Sequence, residues 1–233
     1  MSRKKSTTSE ESVQEENERY ILAMAAANDG LWDWNLRTGK IFFSTRWKQM
    51  LGYEKNEIRD IPDEWFSRVH EDDIDRLKTM LDAYLNNDTA SFAVEYRLKH
   101  FNEGYRWMLI RGLAVRDNDG TAYRIAGSQT DITEKKLSDA KSIHDALHDT
   151  LTGLPNRTLF LDRIRQILKK RERNKKLQYA VIYIDLDRFR LVNESLGHVH
   201  GDELIIQTGH RLRDCVQPGD TVARLGGDEY AIL

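Results

Sequence analysis

The stretch RLGGDEYAIL, Arg224 to Leu233, sets two glycines and two adjacent carboxylates between the short apolar runs Thr221 to Leu225 and Tyr230 to Leu233. That pattern predicts a β-hairpin with Gly226 and Gly227 near its tip. Glycine suits such a tip twice. It reaches positive φ at no steric cost, and without a side chain it lets a base or a phosphate approach the backbone. Asp228 and Glu229 then stand at a strand edge. A turn of this composition also occurs in ordinary exposed hairpins, so the acids need a partner elsewhere in the chain before they imply chemistry.

The partner stands upstream in QYAVIYIDLDRF, Gln178 to Phe189. This apolar run is rich in β-branched residues and ends abruptly in Asp185 and Asp187, as a buried strand does when it delivers acids to its rim. If the two strands are neighbours, Asp185 and Asp228 converge. Two carboxylates alone hold Mg²⁺ weakly, because the ion demands octahedral oxygen coordination and normally adds substrate phosphates to one or two acids. The outline is that of a nucleotide site.

The rest of the chain bounds what this site serves. At 233 residues, 39% of them hydrophobic and 32% charged, the chain can bury one or two cores. No apolar stretch approaches the roughly 20 residues that span a bilayer. The leader MSRKKSTTSEESVQEENER has basic residues with no apolar run behind them, unlike a secretory signal, and a cytoplasmic location follows. A net charge of −2 argues against a dedicated polyanion binder, and the basic run Lys169 to Lys176 closes an amphipathic helix, where it reads as a solvated face; no nucleic-acid partner is expected. Cys215 is the single cysteine, so no internal disulfide forms, and its helical setting reads as a buried or bystander thiol.

Two textures divide the chain. All five tryptophans (Trp32, Trp34, Trp47, Trp65, Trp107) precede residue 108, and the second half is rich in Asp, Arg and Leu. A polar leader, residues 1–19, becomes helical near Glu15. LWDWNL and IFFS then read as two short strands around the turn RTGK. WKQMLGY and DDIDRLKTMLDAYL carry apolar residues at helical spacing, and SFAVEYRLKH, YRWMLIRGLAVRD and AYRIAGSQTDI are three longer strands separated by FNEG and NDG. Two strands, several helices and three antiparallel strands predict an α+β domain whose sheet cups the helices.

The WDWNL start, FSRVHEDD, the pair EYRLKHFNEGYRWML and the closing Asp131-Ile132-Thr133 resemble a PAS domain over residues 20–134, a five-stranded antiparallel sheet with helices. The resemblance implies a sensor or dimerisation module whose ligand the sequence does not name. The region has no cysteine, which excludes the flavin-adduct type. His70, beside an acid cluster, and His100, at a strand end, read as surface histidines in preference to haem ligands. Trp32, Trp34, Phe92, Tyr96 and Trp107 at alternating strand positions read as core, with a ligand pocket as the alternative.

Residues 135–148 form a linker helix in which Leu137, Ala140, His144 and Leu147 share one face, either a short coiled coil or a helix packed on its own domain. Beyond it, DTLTGLPNR, DLDRFRLVNESLGHVHGDEL and RLGGDEY resemble, in order, the motifs of the GGDEF family of diguanylate cyclases, with Tyr230 in place of the final phenylalanine. The resemblance covers residues 145–233 and implies a palm-like α/β domain, here over 149–233, in which two protomers each hold one GTP and make cyclic di-GMP.

Carried over by position, Asp185 and Asp228 bind Mg²⁺ (or Mn²⁺) with the Leu186 carbonyl, Asn193 and Asp202 recognise guanine, and Glu229 meets the 3′-hydroxyl. Phe189 and Arg190 fall where the family's backbone contacts and a lysine meet the phosphates. Gly226 and Gly227 admit the nucleotide. His198 and His200 match a family loop and read as structural. The product-inhibition motif Arg-x-x-Asp is represented by Gln217 to Asp220, so Gln217 leaves Asp220 without its cationic partner and feedback inhibition is expected to be weak.

The resemblance thus implies a homodimeric transferase under PAS control. Its alternatives are a degenerate regulatory GGDEF module, with an EAL phosphodiesterase domain following, or a fragment acting only through PAS contacts. The family continues past the hairpin with further helices and strands, so the chain as written is expected to have an unstable second domain and no cyclase activity by itself.

Overall fold

The computed structural model describes residues 28–102 and 104–233. The polar leader and the helix expected in it lie outside these residues. The chain divides into two compact units, one ending at Lys136 and the other running from Leu137 to Leu233.

In the first unit, β1 (Gly30–Asn35) and β2 (Lys40–Phe43) pair around a turn in which Gly39 takes φ +70°. Helix α1 (Thr45–Met50) starts where the Ser44 hydroxyl accepts the Trp47 N–H. Helix α2 (Pro62–Phe66), too short for a periodic signal, begins with proline at its first turn. Helix α3 (Glu71–Leu85) is capped by His70, whose Nδ1 accepts from the Asp72 N–H, and Glu71, Asp72 and Asp73 complement its positive end.

Strands β3 (Phe92–His100), β4 (Gly104–Arg116) and β5 (Ala122–Asp131) complete a five-stranded antiparallel sheet of order β2-β1-β5-β4-β3. Burial alternates along β3, and its inward residues pack with Trp32, Trp47, Trp65, Leu77 and Ile110 in one core. This is the α+β arrangement read from the sequence.

Two readings in this unit need correction. His100 is buried, at 7% exposure, because the period of β3 turns its last residue inward, and its Nδ1 accepts the Asn102 N–H. Trp107 lies outside the core: it is half-buried beneath two cations, the Arg97 guanidinium 5.5 Å and the Lys136 ammonium 5.2 Å from its ring.

Helix α4 (Thr133–Leu147) crosses the division between the units and buries no residue. The second unit continues with α5 (Arg157–Arg173), β6 (Ile182–Asp185), α6 (Phe189–Leu196), α7 (His198–Asp214), β7 (Val222–Gly226) and β8 (Glu229–Ile232). Its antiparallel sheet has the order β6-β8-β7. Leu154, Ile205, Val222 and Tyr230 form one small core on it, and Phe160, Ala223 and Ala231 another.

The apolar run of β6 predicts a buried strand. It is instead an edge strand with Ile182 53% and Tyr183 57% exposed, because it pairs only with β8 and nothing among the described residues covers that surface. Among the described residues no helix is long and apolar enough to cross a membrane.

Candidate functional site

Antiparallel pairing places the acids. Asp185, the last residue of β6, stands opposite Glu229, the first of β8, and Asp228 is the neighbouring turn residue. On the other side of β8, Arg224 faces Tyr230 and Gly226 faces Glu229, with a register shift between Arg224 and Gly226 that leaves Gly227 and Asp228 as the turn. Gly226 has φ +143° and Gly227 φ +55°, backbone that a side chain would strain. The chain leaves β6 through Arg188, a non-glycine residue at φ +59°, which turns it sharply into α6.

The resulting rim is strongly acidic. Partial desolvation, then the carboxylates of Asp228, Glu229 and Asp187, hold Asp185 above the ordinary aspartate range. Such crowding is relieved by a cation. Among the described residues no group of three or more His, Cys, Asp or Glu side chains is placed to hold a metal ion. What the rim offers is two carboxylates, Asp185 and Asp228, and the Leu186 carbonyl, which accepts the Phe189 N–H at 3.3 Å. That donor set suits Mg²⁺ or Mn²⁺ completed by water and phosphate oxygens. Glu229 lies beside the Tyr183 hydroxyl and is the first cause of that phenol's raised pKa.

Next to the rim is a cavity of about 410 Å³ lined by Phe189, Arg190, Asn193, Glu194, His198 and Asp228. It brings together four residues named from the sequence: Phe189, Arg190, Asn193 and Asp228. Asp202 is exposed on α7 and does not line it, and neither do Gly226 or Gly227. Arg190 is largely exposed and donates from Nε to Glu194 at 2.7 Å. His198 lines the cavity, whereas His200 Nδ1 lies 2.8 Å from the Leu196 carbonyl. At the upstream turn, Asp220 accepts the Gln217 N–H at 3.0 Å.

Three residues that sequence reasoning passed over shape this site. Gly201, one residue before Asp202, is buried where α7 meets α6. A Cβ there would lie 1.8 Å from Asn193 Oδ1 and 3.3 Å from the Phe189 ring, so glycine lets the helices close on Asn193. A glycine inside a helical pattern was the available signal.

The second is Arg224. Its Nε and a terminal nitrogen donate to the Gly227 carbonyl at 2.9 and 2.6 Å, and its other terminal nitrogen reaches both Asp149 oxygens at 2.9 and 3.0 Å. The third is Asp149. Burial pushes its carboxyl up, but hydrogen bonds from Thr152 and Arg224 outweigh that and hold it below the usual range. The same loop is tied to the end of α4, where Asn156 donates from its backbone to Leu147 and from its side chain to Ala146.

Comparison with known proteins agrees with this architecture. Residues 146–233 match the family model "Diguanylate cyclase, GGDEF domain" and residues 40–129 the model "PAS fold". The chain is 37% identical over 124 residues to diguanylate cyclase TpbB of Pseudomonas aeruginosa, covering 52% of this chain and 28% of that protein. It is 48% identical over 101 residues to the bifunctional diguanylate cyclase/cyclic di-GMP phosphodiesterase MucR of the same species, covering 43% of this chain and 15% of that protein. The crystal structure of a sensory box histidine kinase/response regulator from Burkholderia thailandensis is similar, with 36% identity and a TM-score of 0.47 over 54% of this chain and 93% of that one.

The chain is therefore a PAS domain followed by a GGDEF domain, related to the diguanylate cyclases. It spans under a third of the length of either curated relative.

Proposed function

We propose that the GGDEF unit belongs to a diguanylate cyclase that joins two GTP molecules into cyclic di-GMP under control of the PAS unit. The observation that carries this is the convergence of Asp185, Asp228 and Glu229 at one strand rim beside the cavity holding Asn193 and Phe189. Asp185, Asp228 and the Leu186 carbonyl would hold Mg²⁺ or Mn²⁺. When bound, the ion neutralises triphosphate charge.

The chain's own groups do the rest. Asn193 both donates to and accepts from a guanine edge, with Asp202 the second guanine contact. Arg190 supplies positive charge to phosphate in a different geometry from lysine. Glu229 accepts the proton of the 3′-hydroxyl that attacks the α-phosphate of the second GTP, and pyrophosphate leaves. Each half-site supplies one nucleophile, so two copies of the domain must meet, and a helix joining the sensor to the domain is a natural place to control that meeting.

The full-length protein, given GTP and Mg²⁺, should form cyclic di-GMP and two pyrophosphates per two GTP. Glu229→Gln should abolish synthesis while GTP binding persists. The similarity to cyclic di-GMP phosphodiesterase PdeR of Escherichia coli, 34% identical over 132 residues, favours one second reading, a GGDEF module that binds GTP to regulate a phosphodiesterase. Binding of GTP without turnover in the unmutated protein would select it.

A further inference from the structure

Near the end of α4, His144 and His148 are one helical turn apart, and their rings lie nearly parallel, with centroids 4.2 Å apart and an interplanar angle of 9°. His148 Nδ1 is 3.1 Å from the His144 carbonyl, so with its Nδ1–H donating there its Nε2 keeps a free lone pair. His144 Nδ1 lies 3.7 Å from Asp145 Oδ1, beyond hydrogen-bonding distance, so the carboxylate is a nearby negative charge on this ring and not its fixed partner. His144 is largely exposed and His148 half-exposed. Neither ring takes part in the nucleotide cavity.

From this geometry we propose that His144 and His148 form a two-imidazole site for a borderline divalent transition metal of the Zn²⁺, Ni²⁺ or Cu²⁺ class. Two histidines at i and i+4 lie one turn apart on one face, and rotation of these two rings out of their stack brings both Nε2 atoms onto one ion, as in helical zinc motifs. Imidazole suits these ions and not Mg²⁺, which prefers oxygen, so the site is chemically separate from the acidic rim. In His148 the Nδ1 held on a carbonyl oxygen, with Nε2 left for the metal, is also the usual outer-shell arrangement of a histidine ligand. Water fills the remaining positions in one chain. The same pair from a second copy can fill them where two α4 helices lie side by side, since His144 shares a face with Leu137 and Ala140.

The test is calorimetric titration of Zn²⁺ into the metal-free 233-residue chain near neutral pH, in the absence of nucleotide. Binding of one ion per chain, or of one per two chains, is expected, with affinity falling at least about tenfold in His144→Gln and in His148→Gln. Glutamine is a good helix former, and unchanged far-ultraviolet dichroism of the variants confirms that the helix persists. A His198→Gln/His200→Gln variant, which removes the other closely spaced pair, should bind Zn²⁺ like the unmutated chain. Absence of binding, or wild-type affinity in the His144→Gln/His148→Gln double variant, overturns the proposal. The readout is metal binding without GTP, so its failure would leave the cyclase reading untouched.

Discussion

Tyr230 ends the GGDEY motif with a hydroxyl where the family wording has phenylalanine, and that hydroxyl has a specific place. It is fully buried and donates to the Ile205 carbonyl at 2.6 Å, and burial pushes its pKa up to about 12. Tyr230→Phe should therefore lower stability by about 0.5–1.5 kcal/mol in denaturant titration, with the acid rim unaffected. A loss much larger than this would mean that the ring has shifted. Asp149 makes a pH-dependent contribution of known sign. Its folded pKa is depressed, so its stabilisation is present above the unfolded value near 3.8 and is lost as pH falls through the lower folded value. Asp149→Asn should be less stable than the parent at pH 7, and the difference should shrink below about pH 4. Equal spacing of the two stability curves at all pH values would contradict the pairing.

Among the elements, the GGDEF hairpin is held by its own ladder and also by Arg224, which binds its tip at the Gly227 carbonyl and the Asp149 loop at the same time. A lysine keeps the charge but has no planar fork to grip both. Arg224→Lys should lower turnover of the full-length protein about 10- to 100-fold and weaken metal-dependent GTP binding, through a misplaced Asp228 and Glu229. Unchanged kcat would show that the turn holds its shape unaided.

This pair also marks where sequence reading stops. Strand β3 is legible because burial on one face writes a period of two into its residues, β4 and β5 because FNEG and NDG mark the turns between them, and the glycine turn because positive φ selects glycine. The Asp149–Arg224 bridge joins positions 75 apart and leaves no local pattern. The exposure of β6 was illegible for a related reason: an apolar run reports what a strand is able to bury, not whether a neighbour covers it. The turn beside His100 suggests a surface position, but the period of β3 turns its last residue inward.

At the scale of the whole chain the two units are unequally built. The PAS unit buries Trp32, Trp47, Trp65, Leu77, Tyr96 and Ile110 in a single core. The GGDEF unit has two small cores and leaves Ile182, Tyr183, Leu191, Leu196 and Val199 more than half exposed. Apolar burial dominates stability, so the second unit should open first. Limited proteolysis of the 233-residue chain should cut within residues 137–233 and leave the PAS unit intact; the opposite order would contradict this balance.

The central claim is that the acidic rim and its adjoining cavity form a metal-dependent GTP site, and GTP binding to this chain tests it most directly. Calorimetry should show GTP binding with Mg²⁺ present and little without it, and Asp228→Asn and Asn193→Ala should each weaken that binding at least about tenfold. GTP binding that needs no divalent ion, or that survives both substitutions unchanged, would contradict the account.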